Sequence, residues 1–241
     1  EADYQGPLFL GFDTHALSRP AWECALQVLA ANNVPVFIEK GHGYTATPLV
    51  SHAILQLNRH HGLGSPSAGL ADGLIITPSH NPPEDGGIKY NPHHGGPAET
   101  DITSWIELRA NAYLLRNLTD VPTVPVKQAL AHAQQYDFTA HYVAQLAEVV
   151  DIAAIQQANL TLGADPMGGT ALPVWQALQL IKQGRWIPLS WLRRVACGHH
   201  RVNLRLYLLL YLPALSRREL TKPLGKGRLD FPDIALTNNL L

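Results

Sequence analysis

Short apolar runs closed by glycine or proline alternate with longer stretches in which apolar residues return every three or four positions. "PLFLGFD" (7–13) is the first short run and predicts a buried strand. "SRPAWECALQVLAANN" (18–33) follows with helical spacing, placing Trp22, Ala25, Leu26 and Leu29 on one face. Ser18 is the expected N-cap, and Pro20 suits the first turn. "VPVFIEKG" (34–41) reads as a second strand, and "TPLVSHAILQLNRHHG" (47–62) as a helix with Thr47 as its cap. "ADGLIITPSH" (71–80) is a third strand running into a loop, "GIKYN" (87–91) a short strand after it, and "TDITSWIELRANAYLL" (100–115) a third helix. This alternation predicts α/β architecture. The two prolines of "DVPTVPVKQ" (120–128) suggest a domain boundary. Beyond it, 138–150 and 151–159 carry helical patterns. "LTLGADPMGGTALPVWQALQLI" (160–181) reads strand, glycine-rich turn, helix, the opening of a second α/β unit.

The segment "ITPSHNPPEDGGIKYNP" (76–92) does not read as an ordinary connection. Pro78 and Pro82 hold Thr77 and Asn81 extended, and Pro83 removes a further backbone donor. Gly86 and Gly87 permit the turn that brings "IKYN" back towards Ser79. The loop lies just past a strand, where open α/β sheets bind ligands. It is expected to present the Ser79 hydroxyl on a stiff frame, with His80, Asn81 and Lys89 near it. A serine hydrolase is disfavoured, because there is no G-x-S-x-G elbow and adjacent Ser79 and His80 side chains diverge. His93 and His94 are adjacent and lack the spacing of metal ligands. Asp13 and His15, in "DTHALS" (13–18), lie on the first strand-to-helix turn; they either face the same cleft, binding substrate or phosphate, or order that turn.

"TPSHNPPEDGGIKYNP" resembles the active-site signature of the α-D-phosphohexomutases, most closely the bacterial phosphoglucomutases. The flanking segments "GFDTHALSRPAWECALQVLAANNVPVFIEKGHGYTATPLVSHAIL", "NPHHGGPAETDIT" and "DIAAIQQANLTLGADPMGGT" are similar to the same family, covering roughly residues 8–180. The resemblance implies a three-layer α/β/α domain with a mixed sheet over 1–122 and an incomplete second α/β domain beginning at 123–181. It implies that Ser79 carries a phosphoryl group, that His80 and Asn81 shape the phosphate environment, and that Lys89 assists proton transfer. The implied activity is reversible interconversion of glucose 1-phosphate and glucose 6-phosphate through glucose 1,6-bisphosphate. Mg²⁺ would be bound through the Ser79 phosphate and an Asp-x-Asp-x-Asp-Arg loop of the second domain. A phosphomannomutase, a phosphoglucosamine mutase, or a non-catalytic fragment that binds sugar phosphate or only associates with other chains are the alternatives.

Charge changes the picture at the far end. Residues 1–180 hold 7 Lys+Arg against 16 Asp+Glu, whereas 181–241 hold 11 against 3. The resemblance fades at the same place. The expectation for 182–241 is a divergent basic tail, with 182–228 an out-of-frame or otherwise scrambled translation, which an intact reading frame at the source locus would contradict. In "FPDIALTNNLL", Asn239 falls where the first metal-binding aspartate belongs, so the aspartate loop reads as absent. The opening loop of the first domain also reads as missing. The chain by itself is therefore expected to be weakly active or inactive. A near-neutral total charge gives no argument for nucleic acid. The longest apolar run, 204–215, contains Arg205 and falls short of the ~20 residues that span a bilayer. Two cysteines build no disulfide framework, and the chain shows no secretory signal pattern, so a cytoplasmic location is expected. Oligomeric state is not legible in the chain.

Overall fold

The computed structural model describes residues 6–59, 69–79, 81–82, 84–158, 162–182 and 186–188. Strand β1 (Leu8–Phe12) is central in a five-stranded sheet of order β4-β3-β1-β2-β5. Strands β2 (Val36–Glu39), β3 (Asp72–Ile76) and β5 (Gln134–Tyr136) extend it in parallel fashion, and β4 (Ile88–Asn91) is antiparallel to β3 at the edge. The sheet is therefore mixed.

Strand periodicity sorts the apolar residues onto two faces. Leu10, Phe12, Val36, Ile38 and Ile76 pack with Trp22, Leu26 and Ala30 of α1 (Ser18–Ala31) and Ala129 of α4 (Val126–His132). Phe9 and Ile75 point the other way. They pack with Leu49, Val50, Ala53 and Ile54 of α2 (Thr47–Asn58) and Phe138 of α5 (Phe138–Gln145). This gives the three layers expected from the resemblance. Phe9 anchors the second face, with the rings of Phe37, Tyr136 and Phe138 centred 5.3–5.6 Å away. Buried aromatic side chains of this kind contribute about 3–5 kcal/mol each against truncation to alanine. By contrast α3 (Thr100–Leu115) has no buried residue.

Two local expectations are corrected. Ser18 is the first residue of α1, not a hydrogen-bonding N-cap; the preceding Leu17 has no capping side chain. The Ser18 hydroxyl is directed to Asp13 instead. Thr47 likewise makes no cap bond, and α2 begins with Pro48 in its first turn.

The first sheet also continues past the 122/123 boundary that the prolines suggested. Helix α4 packs on α1, the Gln27 amide donates to the Val124 carbonyl, and β5 pairs with β2. A three-residue polar strand, Gln-Gln-Tyr, has no hydrophobic alternation to announce it. Further on, α6 (Ile152–Gln157), β6 (Leu162–Ala164), α7 (Leu172–Lys182) and β7 (Trp186–Pro188) follow. β6 and β7 pair in parallel, forming a strand–helix–strand unit. β7 lies within the stretch expected to diverge; residues 189–241, with Asn239, lie outside the described residues. Among the described residues, no helix is long and apolar enough to cross a membrane.

Candidate active site

Parallel strands β1 and β3 deliver their carboxyl ends side by side, with Leu10 opposite Leu74 and Phe12 opposite Ile76. The chain leaves β1 at Asp13 and β3 at Thr77, so the two exit turns are neighbours. The Asp13 N–H donates to the Ile76 carbonyl at 3.1 Å. The antiparallel β3–β4 register sets Lys89 opposite Ile75, which returns the lysine to the loop just left by Ser79.

Ser79 is exposed and has φ = +60°. A left-handed backbone at a non-glycine residue costs of order 1–2 kcal/mol, so surrounding contacts must hold it. The Ser79 N–H donates to Thr77 Oγ1 at 3.0 Å. Lys89 Nζ donates to Ser79 Oγ at 2.7 Å. Under this elbow, the Thr77 N–H donates to the Gly87 carbonyl at 2.9 Å. A Cβ at Gly87 would come within 2.5 Å of the Thr77 oxygen and 2.8 Å of Pro78 Cα, so only glycine lets the returning strand pass this close.

Asp13 is the hub beneath the loop. Its Oδ1 accepts from Ser18 Oγ at 2.6 Å and from the His15 N–H at 3.0 Å. Its Oδ2 accepts from Thr77 Oγ1 at 2.7 Å. One carboxylate thus joins the start of α1 to the Ser79 loop.

The structure brings Ser79, Lys89 and, through Thr77, Asp13 into one network. His15 is turned to local work: its Nδ1 accepts from the Leu17 N–H at 3.2 Å, and its Nε2 is buried without a hydrogen-bond partner. Asn81 is exposed, and its N–H closes a turn onto the Pro78 carbonyl at 3.2 Å. His80 lies outside the described residues. Thr77, Ser18 and Gly87 were read from the sequence only as an extended, a cap and a turn residue, not as parts of the site. The signal for Thr77 was present, since a threonine two residues before a turn amide is a known side-chain acceptor.

Among the described residues, no group of three or more His, Cys, Asp or Glu side chains could hold a metal ion. Both Asp13 oxygens are already accepting hydrogen bonds. The described residues therefore bring no ready-made set of side-chain ligands for a cation to Ser79.

A serine presented on a strained elbow with an ammonium group at hydrogen-bond distance is suited to carrying an anionic group. The Ser79 hydroxyl is open to solvent on one side, and the lysine can offset negative charge or deliver a proton to its oxygen.

Comparison with known proteins bears on the family and the fold. Residues 1–116 match the family described as phosphoglucomutase/phosphomannomutase, alpha/beta/alpha domain I. A phosphoglucomutase of Komagataeibacter xylinus is 50% identical over 185 residues, covering 73% of this chain and 32% of that protein. Phosphoglucomutase 1 of Drosophila melanogaster is 32% identical over 164 residues, covering 62% and 27%. The chain thus spans about a third or less of the length of these relatives. A solved Paramecium structure, the exocytosis-sensitive phosphoprotein parafusin, superposes with a TM-score of 0.53 at 20% identity, covering 75% of this chain and 35% of that one, and supports the fold. Residues 1–116 thus belong to the phosphoglucomutase/phosphomannomutase family as its α/β/α domain I, and similarity to a phosphoglucomutase extends over 185 residues.

Proposed function

We propose that this chain carries the phosphoryl-donor site of a phosphoglucomutase, with Ser79 as the carrier and Lys89 as its proton partner. The observation that carries the reading is the 2.7 Å contact of Lys89 Nζ with Ser79 Oγ on an exposed, left-handed elbow. Glucose is favoured as the sugar by the 50% identity to the Komagataeibacter xylinus phosphoglucomutase.

In the donor step, the bond between phosphorus and Ser79 Oγ breaks while a bond forms to the free hydroxyl of glucose 1-phosphate. The attacking group is the 6-hydroxyl, whose proton passes to water; Lys89 supplies a proton to the departing serine oxygen and regains one from water, so one proton moves in net from sugar to serine. Glucose 1,6-bisphosphate and free Ser79 result. After the bisphosphate turns over, the same steps in reverse move its other phosphate to Ser79 and release glucose 6-phosphate. A phosphoserine carries about −1.5 to −2 charges, so Lys89 also stabilises the resting phosphorylated state. The strained backbone keeps Oγ in one place through both halves, which is the positioning that phosphoryl transfer depends on. Mg²⁺ bound to oxygens of the Ser79 phosphate would supply further charge neutralisation. Asn81 and His80, which follow Ser79 in the sequence, are assigned in this reading to shaping the phosphate environment. A cytoplasmic location belongs to the same reading and agrees with the free, exposed thiol of Cys24; fractionation of source cells checks it.

The test is transfer from the phosphorylated chain to a hexose monophosphate. Chain carrying labelled phosphate and mixed with glucose 1-phosphate and Mg²⁺ should lose its label to a bisphosphate. Lys89→Met should slow that loss by about 10²-fold or more, within the usual range for removing a proton-transfer group. Label that stays on the chain would refute the assignment.

A further inference from the structure

We propose that Asp13 and Thr77 form a positioning latch that holds Ser79 in its left-handed conformation, so that Asp13 acts through Thr77 rather than by touching the sugar phosphate. The inference rests on Ser79 being the phosphoryl carrier, but its geometric half stands without that role.

The direction of each hydrogen bond carries it. A threonine hydroxyl has one proton and two lone pairs. Thr77 Oγ1 gives its proton to Asp13 Oδ2 at 2.7 Å, which turns its lone pairs outward to accept the Ser79 N–H at 3.0 Å. Without the carboxylate, the hydroxyl rotor has no fixed orientation and the serine amide loses a defined acceptor. A charged acceptor also polarises the hydroxyl and strengthens the next bond in the chain.

Asp13 is itself immobile. Its other oxygen is held by Ser18 Oγ and the His15 N–H, and its backbone N–H is bonded to the Ile76 carbonyl. Thr77 is buried, and its N–H is fixed by the Gly87 carbonyl. Every part of the relay except Ser79 is therefore anchored to the sheet or to α1. An ionised carboxylate is an acceptor only and offers a phosphate no donor, and like charge would repel one.

Thr77→Val removes the hydroxyl at nearly constant volume, and Thr77→Ser restores it. Amide hydrogen exchange is measured at Ser79 in the full chain, with the Leu10 and Ile75 amides reporting whether the sheet is intact. Phosphoryl uptake from glucose 1,6-bisphosphate is followed in parallel. Thr77→Val should exchange the Ser79 amide about tenfold faster, the size expected for one lost hydrogen bond, with the sheet amides unchanged. Its maximal uptake rate should fall about tenfold or more while the bisphosphate concentration for half-maximal rate moves less than about threefold, a loss of positioning rather than of binding. Thr77→Ser should recover both, and Asp13→Asn, which keeps an acceptor but loses charge, should fall between. Wild-type exchange at Ser79 in Thr77→Val, or a Thr77→Ser variant as impaired as Thr77→Val, would overturn the latch. Failure of the wild-type chain to accept any phosphoryl group would instead count against the carrier role, leaving the exchange result to decide the latch.

Discussion

Two carboxylates stand at the ends of neighbouring parallel strands, and their surroundings could hardly differ more. Asp13, just past β1, has both oxygens filled by three donors from two loops. Glu39, the last residue of β2, is only 9% exposed and leaves its Oε2 without a partner. Burial first, and then the nearby Asp137 carboxylate, push the Glu39 pKa up to about 7, against the pull of the Lys40 and Phe138 backbone N–H groups and the Lys40 charge. A carboxylate at the end of a strand becomes a fixed joint when donors converge on it, and a titrating group when they do not.

The difference predicts opposite mutational outcomes. Asp13→Ala should have the largest effect. It leaves the buried Ser18 and Thr77 hydroxyls without their acceptor and should cost about 2–4 kcal/mol in urea denaturation, in addition to impairing Ser79. A loss under about 0.5 kcal/mol would mean that the turn is held elsewhere.

Glu39→Gln should act in the other direction and depend on pH. The folded pKa of Glu39 lies above its unfolded value, so the folded state binds the extra proton between about pH 4.5 and 7. Stability from this site is fully present below pH 4.5 and is lost as pH rises through 7. The neutral glutamine should therefore match wild type near pH 4.5 and exceed it by about 1–2 kcal/mol at pH 8. Equal denaturation midpoints at pH 8 would contradict the cost of burying this carboxylate with one oxygen unpartnered. His52, whose pKa is lowered chiefly by burial, has the opposite sign: its contribution is lost as pH falls below its unfolded value, so the two windows separate on the acid side.

Smaller effects complete the contrast. Ser18→Ala removes one donor to Asp13 but keeps the other two, and should cost about 1 kcal/mol by the same denaturation assay. Lys40→Ala breaks the exposed 3.5 Å pair with Asp137 and should change stability by less than about 0.5 kcal/mol. A large loss there would show that Lys40, and not solvent, is what keeps the Glu39–Asp137 corner together.

Much of the first sheet was legible because its strands alternate or run apolar and its helices carry a single buried face: Leu10 and Phe12 on one side, Phe9 on the other, Trp22 and Leu26 facing them. The edges were not. β5 is short and polar, and its place beside β2 comes from tertiary pairing that no local pattern encodes. Ser18 read as a helix cap because serine at that spacing caps many helices; here Asp13 competes for its hydroxyl and wins. At the site, the Ser79–Lys89 pairing was foreseeable from a proline- and glycine-bounded loop that returns as a strand. Asp13 was named from its position in the turn, but the relay through Thr77 depends on side-chain directions across two loops 64 residues apart.

Site mapping of phosphate is the most direct test of the central claim. After the full chain is exposed to glucose 1,6-bisphosphate, tandem mass spectrometry of its proteolytic peptides should find one phosphate on the peptide containing 76–89, localised to Ser79 and absent from Ser79→Ala. An unphosphorylated Ser79, or phosphate mapped to another residue in the wild-type chain, would contradict the account.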